Sequence, residues 1–119
     1  MNSKRKGADG ERDLAKFLQK HGQADARRGQ QYCGLQGDAD VVGVSDHLHI
    51  ECKYRANGHG NTYEWLAQAK RDAREGEIPT VWHKKVSKQH RGNSWLVTLE
   101  AEDFLVLLNA YERTQDSNV

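Results

Sequence analysis

The sequence predicts one α/β domain, in which helices pack on the faces of a central mixed β-sheet. Segments with apolar residues at helical spacing alternate with short segments rich in Val, Ile and Leu, and turn residues separate them. The predicted order is helix, three strands, helix, two strands, helix. Each predicted helix has one apolar stripe, which it can bury against a sheet.

The first half of the chain is predicted to form one helix and three strands. Leu14, Phe17 and Leu18 fall at helical spacing, which predicts an amphipathic helix over residues 7–21, and Gly22 is placed to end it. Strands are predicted at residues 24–28, 39–44 and 47–54. The last two are joined by a turn at Ser45 and so form a hairpin.

The second half is predicted to form a helix, two strands and a closing helix. Leu66, Ala69 and Ala73 predict the inward face of a helix over residues 62–74. Strands follow at residues 80–84 and 94–99, joined by a basic loop. The residues that predict the closing helix are Phe104, Leu105, Leu107, Leu108 and Tyr111. We expect one domain over residues 1–113 and a flexible C-terminal tail over residues 114–119.

The composition argues against several classes of protein. No apolar segment is long enough to cross a bilayer, and no apolar segment follows the charges of residues 1–6, so we expect a soluble, cytoplasmic protein. Cys33 and Cys52 are too few for a disulfide framework and lack the spacing of a zinc motif. With 36% hydrophobic residues the chain has little apolar area to spare for a core, and a dimer that buries additional surface would fit.

The net charge of +1 conceals an uneven distribution of charge. Residues 100–119 hold five acids and one base, which leaves 17 bases and 12 acids in residues 1–99, a surplus of +5. Clustered bases suit a phosphate backbone, although an ordinary solvated surface explains them equally well. The candidate DNA-binding residues are Lys4, Arg5, Lys6, Arg27, Arg28, Arg55, Lys70, Arg71, Lys84 and Lys85.

The strand predicted at residues 47–54 carries an acid and a lysine on one face. Side chains alternate between faces along a strand, so Glu51 and Lys53 project together. Asp40, at the start of the neighbouring strand, would bring a second carboxylate to this hairpin. Two neighbouring carboxylates repel unless a cation or a proton lies between them. The alternative is a surface ion pair between Glu51 and Lys53, with Asp40 as a turn residue.

Glu11 adds a third carboxylate, at the edge of the apolar stripe of the first helix. An acid at such a position is destabilising unless a partner compensates it, and a metal site, Lys53 or Arg12 could do so. The alternative is a carboxylate that reaches out to water.

Carboxylate oxygens are hard ligands that suit Mg²⁺, with Mn²⁺ as a substitute. The chemistry that this pattern indicates is phosphodiester hydrolysis, with the metal held by Asp40, Glu51 and the backbone carbonyl of Cys52. Lys53 would orient a water and offset charge on the phosphate, and Glu11 would hold a metal-bound water or a second ion.

These residues resemble the PD-(D/E)xK nuclease superfamily and, within it, the phage and archaeal type of Holliday-junction resolvase. The resemblance extends over most of the chain. Its segments are Gly7, Glu11 and Arg12; Arg27 to Gly29; GDADVV at residues 37–42; IECK at 50–53; QAKRD at 68–72; EIPTVWHKK at 77–85; and WLVTLEAEDF at 95–104. One position departs from the family pattern, because Ala39 stands where proline usually precedes the aspartate.

The resemblance implies a restriction-endonuclease-like core, with catalytic or metal-binding roles for Glu11, Asp40, Glu51 and Lys53 and a supporting role for Gln68. It also implies a homodimer that cuts branched DNA during recombination, in a prokaryotic or phage-infected cell. Asp38 is a candidate accessory acid. There are two alternatives. One is a nuclease of the same superfamily of the general, restriction or repair type, and the other is a non-catalytic DNA-binding module.

Two histidines precede Glu51 on the same strand. We interpret His47 and His49 as solvated or packing residues and not as a metal pair, because no third soft ligand has the spacing to join them.

Overall fold

The computed structural model describes residues 3–29, 39–86 and 94–117. Asp38, Cys33 and the side chains of Lys4, Arg5 and Lys6 lie outside this description. The elements in chain order are α1 (Ser3–Lys20), β1 (Arg27–Arg28), β2 (Val41–Val42), β3 (Leu48–Arg55), a 3₁₀-helix (His59–Asn61), α2 (Thr62–Asp72), β4 (Ile78–Lys85), β5 (Leu96–Thr98) and α3 (Ala101–Ser117).

The strands form one five-stranded mixed sheet in the order β1-β2-β3-β4-β5. β1, β2 and β3 pair antiparallel, as do β4 and β5. β3 and β4 pair in parallel from Leu48↔Ile78 to Arg55↔Lys85, and α2 provides the crossover that parallel pairing requires. The predicted fold class and element order are therefore confirmed, although β1, β2 and β5 are shorter than the sequence predicts.

The two faces of the sheet are covered by different helices. Ile50 on β3 packs with Leu14 and Leu18 of α1, in a core that also holds Val41 and Trp95. On the other face, α2 packs against Val81 of β4 through Trp65, Leu66 and Ala69. Because residues alternate along β3, Glu51 and Lys53 lie on the face that α2 covers.

Two glycines fix how α1 sits on the sheet. A Cβ added at Gly10 would lie 2.3 Å from Cβ of Tyr54, so only glycine lets this turn of α1 approach β3 so closely. Gly22 has a φ of +98°, in the left-handed region that glycine adopts without strain. A glycine in this conformation commonly ends a helix, as it does after α1. Glu11 follows Gly10 directly, and its place beside β3 depends on the same close approach.

α3 is the element whose packing differs most from expectation. The closing helix was predicted to bury an apolar stripe, yet Phe104 is 52% and Tyr111 61% exposed, and the leucines between them are also exposed. α3 also continues to Ser117, so it includes most of the segment that was predicted as a flexible tail. None of the described helices has the length and apolar character needed to span a membrane.

Candidate active site

β3 carries the central acid and lysine of the site. Glu51 is 3% exposed, although it is an acidic residue, and its strand partner on β4 is Val81. Two residues further on, Nζ of Lys53 donates to Oε1 of Gln68 at 3.2 Å, which links β3 to α2. The alternation along β3 thus places Glu51 and Lys53 on one face of the sheet, and Gln68 reaches this face from α2. The hydrogen-bond partner of Lys53 is the amide oxygen of Gln68.

Asp40 lies beside Glu51 at the start of β2. Its backbone N donates to the carbonyl of Ile50 at 2.9 Å, and its Oδ2 accepts from the backbone N of Cys52 at 2.8 Å. Ile50 and Cys52 flank Glu51 on β3, so these two contacts hold Asp40 opposite Glu51. The carboxyl groups of Asp40 and Glu51 are therefore held close together by the backbone ladder.

The electrostatics of Asp40 reflect this crowding. Burial, the charge of Glu51 and, less strongly, the charge of Glu11 raise the pKa of Asp40 to about 8, and the Cys52 amide opposes the shift. A pKa that high means that the carboxyl is mostly protonated at neutral pH in the absence of a cation. A divalent cation between the carboxylates would relieve the repulsion.

Glu11 completes a group of three carboxyl residues, Glu11, Asp40 and Glu51, which we call the acid cluster. Its side chain is 13% exposed, and Arg28 on β1 donates to its Oε1 at 3.2 Å. Burial raises the pKa of Glu11 and Arg28 opposes the shift. Neither Lys53 nor Arg12 is the partner, since Lys53 bonds to Gln68 and Arg12 pairs with Asp9.

His49 lies beside Glu51, a position that its interpretation as a solvated or packing residue did not include. It is 1% exposed, which agrees with a packing residue, and its Nε2 lies 2.7 Å from Oε1 of Glu51. On its other side, Nδ1 lies 3.9 Å from Oε1 of Glu77. The signal was present in the sequence, because a residue two before Glu51 on a strand shares its face. His47, by contrast, is exposed.

The donor set suits a hard cation. Asp40 and Glu51 supply carboxylate oxygens, and Mg²⁺ commonly binds through one or two carboxylates while water and phosphate fill its other positions. The Cys52 thiol belongs to the opposite face, where it packs with the α1 core and burial raises its pKa. Among residues 3–29, 39–86 and 94–117, no group of three or more His, Cys, Asp or Glu side chains is placed to hold a metal ion.

The basic residues predicted to contact DNA occupy several different places. Lys84 lies on the α1 face, where it pairs with Asp13 at 3.3 Å, away from the face that carries Glu51. Lys70 pairs with Glu100, and Arg27 donates to the backbone oxygen of Asp25 at 3.2 Å. Of these bases, Arg28 contacts the acid cluster, through Glu11.

A group of rings lies next to Lys53 on the α2 face. His83 pairs with Lys53 in the sheet register, and its Nδ1 is 3.4 Å from Nδ1 of His59. Both rings pack against Trp65, and the guanidinium of Arg55 lies 5.9 Å from the centre of that ring. Arg55 therefore stands on the same face as the lysine of the site.

A comparison with protein families identifies the family of the chain. The family model described as "Phage putative PDDEXK endonuclease" matches residues 2–118, which is nearly the whole chain. The chain belongs to this family. No curated protein and no solved structure matches it significantly.

Membership of this phage PDDEXK family places the chain among endonucleases, and a nuclease of this type acts on DNA with the help of a divalent metal. The predicted membership of the PD-(D/E)xK superfamily is thereby confirmed. The roles of Glu11, Asp40, Glu51, Lys53 and Gln68 are predictions that the family match leaves untested.

Proposed function

We propose that this phage PDDEXK protein is a Mg²⁺-dependent endonuclease that cuts four-way DNA junctions as a homodimer. The observation that carries the hydrolytic part is the pair of crowded carboxyl groups, Asp40 and Glu51, beside Lys53. Two carboxylates held this close repel each other when both are ionised, and a divalent cation between them relieves that repulsion. The choice of branched DNA is supported by the resemblance of segments such as GDADVV and IECK.

Each residue of the site has a distinct task in this proposal. Asp40 and Glu51, with the carbonyl of Cys52, would hold Mg²⁺, which when bound polarises the phosphate and acidifies water. Lys53, oriented by Gln68, offsets negative charge that develops on the phosphate and positions the attacking water. Glu11, whose carboxylate accepts a hydrogen bond from Arg28, would hold a water beside the cation or a second ion.

The DNA would approach along the face that carries Lys53. Arg55 stands on this side of the sheet, over Trp65, whereas Arg28 reaches the acid cluster from the side that α1 covers. Contacts from Lys4, Arg5 and Lys6 at the start of α1 belong to the same proposal, as do those from Arg27, Lys70, Arg71 and Lys85. Two copies of the chain would present two such sites to opposing strands of a junction.

The test is a nicking assay with labelled four-way junctions and linear duplexes of the same sequence. With Mg²⁺, we expect paired symmetric nicks in the junction, and Asp40→Asn or Glu51→Gln should reduce the rate about 10³-fold or more while junction binding persists. Asp46→Asn and Glu75→Gln are matched controls, because both acids are exposed and lie outside the acid cluster.

Two other outcomes would replace this proposal with its alternatives. Equal cutting of linear duplex would leave a general or restriction-type or repair nuclease and remove the junction preference. Junction binding with a steep salt dependence, and no cleavage with Mg²⁺ or Mn²⁺, would indicate a non-catalytic DNA-binding module.

A further inference from the structure

The exposed apolar surface of the described chain is concentrated in its last two elements. Eight large hydrophobic side chains of β5 and α3 are between 36% and 61% exposed. They are Leu96, Val97, Phe104, Leu105, Val106, Leu107, Leu108 and Tyr111. We call this set the C-terminal apolar surface. Tyr63, on α2, is the one other large hydrophobic residue recorded as exposed in the described ranges.

This surface is as large as the largest apolar patches of monomers, and patches of that size often mark an interaction site. Eight large side chains exposed to this degree leave on the order of several hundred Å² of apolar area in water, as much as the largest patches of typical monomers. An interface of standard size buries about 800 Å² on each partner, so the surface supplies most of one half-interface. A helix that is apolar on more than one side is normally buried.

The charges of α3 decide which kind of partner fits. Its acids are Glu102, Asp103, Glu112 and Asp116, and its one base is Arg113. A surface flanked by acids is repelled by DNA phosphates and by anionic lipid, so neither would cover it. A protein partner with apolar residues of its own remains.

The spacing of the apolar residues favours a second helix of the same kind. Phe104, Leu107, Leu108 and Tyr111 follow the i, i+3, i+4, i+7 pattern of helices that pack against each other. Leu105 and Val106 lie on the other side of α3 and are also exposed, so a partner would have to contact α3 from two sides. On β5, the edge strand, Leu96 and Val97 are exposed on opposite faces of the sheet, and either can offer such a second contact.

We propose that α3 and β5 form the interface between two copies of this chain, with α3 of each copy packed on α3 and β5 of the other. A two-fold interface uses the same surface on both partners, so that surface must fit a copy of itself. Two apolar stripes that pack against each other satisfy this condition. The inference locates the dimer of the proposed function, but it rests on the exposure of α3 and not on nuclease activity.

The experiment measures self-association of the full chain by sedimentation and light scattering across a concentration series. The wild type should form a dimer, and Leu105→Asp combined with Leu108→Asp should raise its dissociation constant about 1000-fold or more, because each charge occurs twice in a symmetric dimer. Tyr63→Asp is the control, because it places the same charge at an exposed hydrophobic residue of α2, outside the C-terminal apolar surface. This control should remain dimeric.

A second readout tests the geometry directly. Leu108→Cys should give a disulfide-linked dimer on mild oxidation, and Tyr63→Cys should not. A wild type that stays monomeric at high concentration, or a dimer that the double variant leaves intact, overturns the proposal. Nicking of linear or branched DNA by a monomer would leave the nuclease function standing and remove both this interface and the proposed homodimer.

A different observation carries a second inference, which concerns His49. Its ring is buried between two acids, with Nε2 at 2.7 Å from Glu51 and Nδ1 at 3.9 Å from Glu77. Oγ1 of Thr80 donates to the His49 carbonyl at 2.8 Å, so the backbone at this position is fixed as well. A carboxylate that binds a metal is oriented by the hydrogen bonds made to its oxygens.

We infer that His49 is a positioning residue, which donates from Nε2 to one oxygen of Glu51 and fixes the orientation of that carboxylate toward the cation. The inference rests on the proposed function, since it assigns Glu51 as a ligand. His49→Gln keeps a donor at a similar reach, whereas His49→Phe fills the site without one.

Titration calorimetry with Mn²⁺ on metal-free protein separates positioning from packing. We expect His49→Phe to weaken binding about 10- to 100-fold and His49→Gln to recover most of it, even if both variants lose similar stability toward urea. Equal affinities in the two variants overturn the inference. A wild type that binds no Mn²⁺ overturns the proposed metal site as well, so the two failures are distinguishable.

Discussion

The acid cluster and α3 depart from the usual distribution of side chains in opposite directions. In the acid cluster, Glu51 is an acidic residue at 3% exposure, whereas in α3 Leu105 is an apolar residue at 49% exposure. Each arrangement is unfavourable in the isolated chain, because a buried charge and an exposed hydrocarbon both raise its free energy. The difference teaches that each region lacks a different contact, which in our proposals is a cation and DNA in one region and a second copy of the chain in the other.

The largest effect on the nicking rate should come from Lys53, which lies on the same face of the sheet as Glu51. Lys53→Met removes the charge that faces the phosphate but keeps the length of the side chain, and we expect the single-turnover nicking rate to fall about 10³-fold, near 4 kcal/mol. Lys16→Met, at an exposed position on α1, is the matched control. A rate within threefold of wild type would show that Lys53 has no part in the reaction.

The next prediction compares a leucine of the core beneath α1 with a leucine of α3, by urea unfolding of dilute, monomeric protein. Leu14 is fully buried, so Leu14→Ala should lower the free energy of unfolding by about 3 kcal/mol. Leu105→Ala should change it by less than about 1 kcal/mol. At high protein concentration, the cost of Leu105→Ala should rise, because a dimer links its stability to the chain concentration. If the two variants lost the same free energy of unfolding at every protein concentration, the difference between the core and α3 would be contradicted.

Asp40→Asn should stabilise the metal-free protein, which is unusual for a residue of an active site. The pKa of Asp40 is raised from 3.8 to about 8, so its folded carboxyl keeps a proton that the unfolded chain has lost. The contribution of Asp40 to stability is therefore fully present below about pH 4, declines as pH rises, and is lost above about pH 8.

At pH 8.5 we expect Asp40→Asn to gain on the order of 2 kcal/mol in the free energy of unfolding, and little at pH 4. Mg²⁺ should raise the melting temperature of the wild type at pH 8.5 and leave that of the variant unchanged. Asp46→Asn serves again as the control. A wild type whose stability is flat between pH 4 and 8 would contradict the crowding of Asp40 and Glu51.

The smallest effect concerns the partner of the lysine. Gln68→Ala removes the acceptor for Lys53 Nζ, and we expect about a tenfold loss of nicking rate, near 1.4 kcal/mol, with unchanged junction affinity. Gln68→Glu, which restores an acceptor, should recover part of the rate if the contact orients Lys53. An equal loss in both variants would assign Gln68 to packing.

The sequence predicted the fold and part of the site because both depend on local periodicity. Alternation along β3 placed Glu51 beside Lys53, and helical spacing placed Glu11 near the core. The proximity of Asp40 and Gln68 depends on strand pairing and on the α2 crossover, which single-residue patterns do not encode, and it came from the family resemblance. The exposure of α3 could not be predicted, because an apolar stripe shows that a helix will be covered but not by what.

The long parallel pairing of β3 and β4 also has a consequence for folding kinetics. The two strands can meet only after the chain between them has closed through α2, and such nonlocal pairing is slow to form. Once formed, it lies in the middle of the sheet, where backbone amides exchange with solvent only when the domain opens as a whole. Glu51 and Lys53 are thus carried by the part of the chain that is the last to open, whereas α3 can unfold by itself without disturbing them.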